Sequence, residues 1–279
     1  MAKLIGAFRV KNDAEFLKKT IPEACQYCDE IVAVDNWSDD NSIEVIIEAC
    51  KANNTPIHLE KTEDARFHEG RDYNQILRNS HAIGADWIIQ IDADEVYEYE
   101  FTSKIRKYMS MNFDVFFTGV THMWTLDQDK EWYDVDTCRV GSEWSTMQHD
   151  DGTPIQHERP ALFRVNKDHV TSNALRYHGS LCPSPLYKSN NCLFTGRVIA
   201  HYGYSTPALV KKKCERHGNI VQPRKEEIED GVNRPPGWIP EGENLNFDAA
   251  VNMFKNEWMR TDNVELVKMI RKVWHGRDW

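Results

Sequence analysis

The chain has 279 residues, 41% of them hydrophobic and 28% charged, with a formal net charge of −10. That apolar share supports a real core and excludes a disordered chain, while the acidic balance argues against a broad nucleic-acid-binding surface. There is no apolar run near 18 residues and no basic-then-apolar leader, so the expectation is a soluble, cytoplasmic protein without a transmembrane segment. The seven cysteines include one CxxC pair, Cys25 and Cys28, and no second pair to complete a zinc site. They are read as small buried thiols of a reducing compartment.

Strand and helix signals alternate through the first ninety or so residues. Leu4 to Phe8 is strand-like. Asn12 and Glu15 have capping-box spacing, and Leu17, Ile21, Ala24 and Cys28 then share one helical face. Pro22 is expected to interrupt this helix, with Thr20 to Glu23 restarting it. Ile31 to Val34 predicts a second strand, Ser38 to Asn41 a helix start, and Ile43, Val45, Ile46, Ile47 and Ala49 its apolar residues. Pro56 to Leu59 predicts a third strand, Gly70 to Ile83 a third helix, and Trp87 to Ile91 a fourth strand. This alternation predicts an α/β fold with a doubly wound, mostly parallel, Rossmann-like sheet.

The middle of the chain differs. Asp114 to Val120 is a further strand, followed by a polar and aromatic segment to about residue 158 that carries Trp124, Trp132, Tyr133 and Trp144. Such a long irregular stretch is usually functional, and a flap over residues 121–158 is expected. Pro160 to Val165 and Cys192 to His201 read as strands. Beyond Thr206 the pattern turns helical, with Phe247, Val251, Phe254 and Trp258 and then Val267, Ile270 and Trp274 at helical spacing. The expected organisation is a main domain over residues 1–205 and a C-terminal helical extension over residues 206–279 packed on it.

The most telling stretch is Trp87 to Glu95, an apolar strand that ends in Asp92-Ala93-Asp94-Glu95. Unpaired charge is too costly inside a buried strand, so these carboxylates belong just past its C-terminal end. In an open α/β sheet that is where ligands bind, and two carboxylates there suit a hard divalent cation that in turn holds phosphate oxygens.

Four features recur in order: Asp35-Asn36-Trp37-Ser38-Asp39-Asp40 after the second strand, Gly70-Arg71-Asp72 opening a helix, Asp92-Ala93-Asp94-Glu95, and His201-Tyr202-Gly203-Tyr204. Together they resemble a family 2 glycosyltransferase of the GT-A fold, over roughly residues 3–215, and are most similar to small bacterial and phage members related to lipopolysaccharide core transferases. The resemblance implies a role for each matching residue. Asp35 would bond the nucleobase, Phe8 and Arg9 would meet the nucleotide, and Arg71 would lie near the ribose and pyrophosphate. Asp92 would reach the ribose or a metal-bound group, Asp94 would ligate the metal, and His201 would complete the metal or diphosphate site. The implied cofactor is Mn²⁺ or Mg²⁺, with the imidazole favouring Mn²⁺.

The chain departs from the family pattern at Trp37, where relatives carry a small residue, and no His-Glu pair follows the Phe163-Arg164 strand. Local structural roles stand beside the functional ones: Asp35 as a helix cap, Arg71 as a surface residue, and His201 and His178 as structural histidines. Lys211 to Lys213 read as a solvated helix face. An inverting transferase needs a general base, and Asp127 and Glu158 lead Asp150 and Asp151. The expected activity is inverting, metal-dependent sugar transfer from a nucleoside diphosphate sugar, UDP-linked in preference, to a hydroxyl of a glycan or lipid-linked saccharide. A phage-type transferase acting on a hydroxymethylated DNA base, a nucleotidyltransferase and an inactive nucleotide-sugar-binding module are the alternatives.

Overall fold

Buried apolar runs form β1 (Leu4–Val10), β2 (Glu30–Asp35) and β4 (Trp87–Asp92), which with the half-buried β3 (Ile57–Lys61) make four parallel strands ordered β4-β1-β2-β3. The structure is a computed structural model and describes residues 2–66, 68–124, 139–142, 158–166, 180–187, 190–202 and 259–260. Between the strands lie α1 (Ala14–Ala24), α2 (Ser42–Ala52) and α3 (Glu69–Ala82). The chain moves outward from β1 to β3 and then returns past β1 to β4. Right-handed crossovers therefore put α3 on the face opposite α1 and α2, as the doubly wound reading expects. Tyr73, Ile76 and Leu77 of α3 pack on Ile5, Ala7, Val32, Val34 and Ile88.

After β4 come β5 (Glu95–Tyr97), α4 (Tyr99–Thr102), α5 (Ile105–Met109), β6 (Val115–Trp124), β7 (Arg139–Ser142), β8 (Glu158–Arg164), α6 (Ser184–Tyr187), β9 (Cys192–His201) and β10 (Met259–Arg260). The described residues divide into two units. In the first, β8 lies antiparallel between β4 and β6, and β5 pairs antiparallel with β9. Rings from Tyr97, Phe101, Tyr108 and Phe116 follow one another at centroid distances of 5.5, 5.2 and 5.3 Å, which anchors α4 and α5 to the sheet. In the second unit, residues 122–124 of β6 pair with β7, and β7 pairs with β10. The helical reading of residues 206–279 lies outside the described residues apart from the short strand β10. No described helix is long and apolar enough to cross a membrane.

Two local expectations need correction. Pro22 does not interrupt α1, which runs unbroken from Ala14 to Ala24. Proline inside a helix costs about 3 kcal/mol. Leu17 and Ile21 are fully buried, at about 1.5–3 kcal/mol each, and Pro22 sits so near the end that only one hydrogen bond is lost. The capping box also does not form. Asn12 takes a left-handed φ of 56°, and Asp13 is the N-cap residue without a side-chain cap. The Asp13 carboxylate instead accepts from the Lys11 N–H at 3.0 Å, and its own N–H donates to Ser42 Oγ at 2.9 Å.

Glu23, in the last turn of α1, has its carboxyl pushed up to about 8 by burial. A raised carboxyl favours the folded state while protonated. That contribution is complete below the unfolded value of 4.5 and is lost as pH rises through 8. We expect Glu23→Gln to melt with the wild type at pH 4 and above it at pH 9. Equal melting temperatures at both pH values would show that the group is solvated.

Candidate functional site

The order β4-β1-β2-β3 reverses direction between β1 and β4, so the crevice of this sheet opens at their C-terminal ends. Arg9 of β1 and Asp92 of β4 face each other there in register. Arg9 is held by the first turn of α3: Nη2 donates to Glu69 Oε1 at 3.1 Å, and Nη1 lies 4.0 Å from Asp72 Oδ2. Burial opposes its charge, but the Tyr73 hydroxyl, Glu69, Asp92 and Asp72 keep the guanidinium above its usual pKa. Phe8, one residue earlier, points to the other face and is fully buried in the core.

Asp35 closes β2 and is fully buried. Both its oxygens accept from the Ser38 N–H, at 3.1 and 3.2 Å, which shapes the loop before α2. Trp37 in that loop has a left-handed φ of 58°, which few residues other than glycine adopt. Its Nε1 donates to the Thr62 carbonyl at 3.0 Å, Lys61 Nζ lies 5.5 Å from the ring centre, and the residue is 46% exposed.

Arg71 opens α3 where His68 caps the helix, Nδ1 accepting from the Arg71 N–H at 3.0 Å. Its guanidinium is wrapped by the protein: Nε donates to Asp72 Oδ1 at 2.9 Å, Nη1 to Asp64 Oδ1 at 2.8 Å, and Nη2 to the Arg66 carbonyl at 2.8 Å. Burial lifts the Asp72 carboxyl above its ordinary value despite Arg71 and Arg9 beside it.

The Asp92-to-Glu95 turn joins β4 to β5, and β5 pairs with β9 so that Glu95 faces His201 in register. This brings Asp94 Oδ2 to 3.3 Å from His201 Nε2. Of the residues the sequence singled out, the structure thus brings Asp94 together with His201 and Arg9 together with Asp92. Asp35 and Arg71 are engaged in their own loops. Among the described residues no three His, Cys, Asp or Glu side chains are spaced for one ion. Glu158 lies on β8 opposite Gly119. Asp127, Asp150, Asp151, His178, Trp132, Trp144 and Lys211 to Lys213 lie outside the described residues, and Trp124 ends β6.

Sequence reasoning missed Arg159. Its Nη1 donates to Asp92 Oδ2 at 2.9 Å and to Glu95 Oε1 at 2.6 Å. Burial opposes the charge, yet Asp92, Glu95, Tyr97 and Tyr73 hold this guanidinium well above its usual pKa. The signal was a lone arginine at the head of the apolar run Pro160 to Phe163.

The family model for glycosyl transferase family 2 matches residues 9–166, more than half of the chain, and the protein belongs to that family. Its fold is accordingly GT-A, with the parallel half-sheet and crevice described above. No curated protein matches the chain in sequence. Among solved structures it is similar to TarS 1–349 of S. aureus in complex with UDP-GlcNAc, at 16% identity and a TM-score of 0.37, over 43% of this chain and 35% of that one. The chain therefore spans about a third of that relative in the alignment. A second TarS 1–349 structure aligns at 11% identity and a TM-score of 0.46, over 81% of this chain and 68% of that one. The mannosyltransferase PcManGT from Pyrobaculum calidifontis, in complex with GDP-Man and Mn²⁺, aligns at 14% identity and a TM-score of 0.43, over 84% and 66%.

Proposed function

We propose that the protein is an inverting, metal-dependent glycosyltransferase. It moves one sugar from a nucleoside diphosphate sugar, UDP-linked in preference, to a hydroxyl of a glycan or lipid-linked saccharide. The observation that carries this reading is the pairing of Asp94 with His201 at the C-terminal mouth of β4 in a family 2 chain. Two ligands bound at right angles to one ion, each at about 2.1 Å, lie about 3 Å apart. The 3.3 Å between Asp94 Oδ2 and His201 Nε2 fits that spacing. One carboxylate and one imidazole form a donor set that favours Mn²⁺ over Mg²⁺. When bound, such an ion acts as a Lewis acid that steadies the charge growing on the departing diphosphate.

The protein's own groups supply the rest. Asp92 would reach the ribose or the outer shell of the ion, Arg71 would lie near the ribose and pyrophosphate, and Arg9 would meet the nucleotide. Asp35 reads the nucleobase. A carboxylate oxygen already taking one N–H keeps acceptor capacity for the imide N–H of uracil or thymine, which cytosine lacks. Asp127 or Glu158, from the acceptor-side segment 121–158, removes the proton of the attacking hydroxyl.

The test is a thermal-shift panel of UDP, GDP, CMP and dTDP sugars with and without Mn²⁺. A ligand at one hundred times its Kd stabilises the native state by about 2.7 kcal/mol. We expect a Mn²⁺-dependent rise with UDP or dTDP sugars, little with CMP sugars, and loss of this preference in Asp35→Ala. No rise with any nucleotide sugar would overturn the donor reading. An unchanged preference in Asp35→Ala would leave Asp35 as a loop cap alone.

A further inference from the structure

We infer that Arg159 is the positioning residue of the cation site, an inference that rests on the Asp94–His201 reading. Asp92 and Glu95 are the two ends of the turn that carries Asp94. One nitrogen of Arg159 bonds both ends, at 2.9 and 2.6 Å. Glu95 is also the register partner of His201 across β5 and β9. A single guanidinium therefore ties the turn bearing one ligand to the strand pair bearing the other.

The strand β8 is built to deliver this side chain. Its register against β6 slips between Phe116 and Phe117, so that Leu162 faces Phe116 while Pro160 faces Phe117, with Ala161 as the extra residue. A bulge of this kind switches which residues share a face and re-aims the side chains beyond it. Arg159 follows directly beyond the bulge, opposite Thr118, and Pro160 sits at the bulge, one of the places where a sheet tolerates proline.

Electrostatics gives the reason. Asp92, Asp94 and Glu95 crowd three carboxylates into four residues. Glu95 is 3% exposed and Arg159 19% exposed at the side chain, so water screens their pairing little. With Asp92 and Glu95 engaged by Arg159, Asp94 is the carboxylate of the turn set against His201. Because one nitrogen makes both contacts, the site needs a positive charge at one point more than a two-pronged fork, and lysine should substitute in part.

The experiment measures Mn²⁺ binding to the full chain by electron paramagnetic resonance of the free ion, with melting in EDTA as the folding control. Partners that orient metal ligands typically contribute about 10- to 100-fold in metal affinity. We expect Arg159→Met to weaken Mn²⁺ binding by about that factor and Arg159→Lys to recover part of it. Arg159→Met leaves Glu95 buried without its cation, so the double variant Arg159→Met with Glu95→Gln restores charge balance. If Arg159 positions the ligands, the double variant melts like the wild type in EDTA yet still binds Mn²⁺ weakly. If Arg159 only balances charge, its Mn²⁺ affinity returns to within threefold of wild type, and the inference is overturned. Asp94→Asn separates the two levels. Loss of binding in that variant with none in the Arg159 variants removes this inference alone, whereas unchanged binding in Asp94→Asn removes the cation reading as well.

Discussion

Asp94→Asn is expected to abolish measurable transfer, by about 10³-fold or more at limiting Mn²⁺, while the protein melts with the wild type in EDTA. The residue sits past the end of a buried strand, in the turn between β4 and β5, where its side chain, 15% exposed, faces His201. Asparagine keeps the shape and loses the charge that a hard cation requires. The Mn²⁺-dependent part of nucleotide-sugar binding should vanish with activity, and any metal-independent part should remain. Steady-state rates across a Mn²⁺ titration decide the matter. Wild-type turnover by the variant at limiting Mn²⁺ would show that Asp94 holds no catalytic cation.

Trp87→Ala is expected to produce the largest loss of stability. The side chain is 1% exposed at the N-terminal end of β4. Its ring lies 5.9 Å from that of Phe116 and carries the Arg164 guanidinium carbon at 4.6 Å from its centre. Truncating a buried tryptophan costs about 3–5 kcal/mol, from lost transfer energy and the cavity left behind. For a chain of this size that lowers the melting temperature by roughly 10 °C. Trp87→Phe should lose much less, because it keeps an aromatic ring in the same slot. Trp87 and Asp92 are five residues apart along an extended strand, about 17 Å, so donor binding at 15 °C should survive in both variants. A drop of under 3 °C for Trp87→Ala would mean that the site collapses around the deletion. Loss of donor binding below the transition would mean that the two ends of β4 are coupled.

How much of this protein is local shows in particular residues. The β1, β2, α3 and β4 elements are legible because apolar periodicity and turn chemistry act over a few residues. For the same reason the sequence placed Asp92 to Glu95 just past a strand: a buried strand cannot hold them. The parallel pairing follows from β–α alternation, which is a chain-order rule, whereas the order β4-β1-β2-β3 that opens the crevice is set by which strands pair. Pro22 marks where local rules give way, since the buried face of α1 outweighs the proline.

Side-chain partnership was not legible. Asp94 meets His201 across more than a hundred residues of chain, and Arg159 meets Asp92 across 67 and Glu95 across 64. Those pairings depend on which strand lies beside which, on the β5–β9 register, and on one bulge in β8. A one-residue slip in either ladder would send the same side chains to the opposite face. Asp35 and Arg71 are the contrast: the groups that hold them, the Ser38 amide for Asp35 and Asp64, Arg66 and Asp72 for Arg71, all lie within seven residues along the chain. The sequence alone determined which residues can be buried and where charge must emerge. Only the tertiary structure decided which charges answer one another, because that depends on distances set by long-range strand pairing.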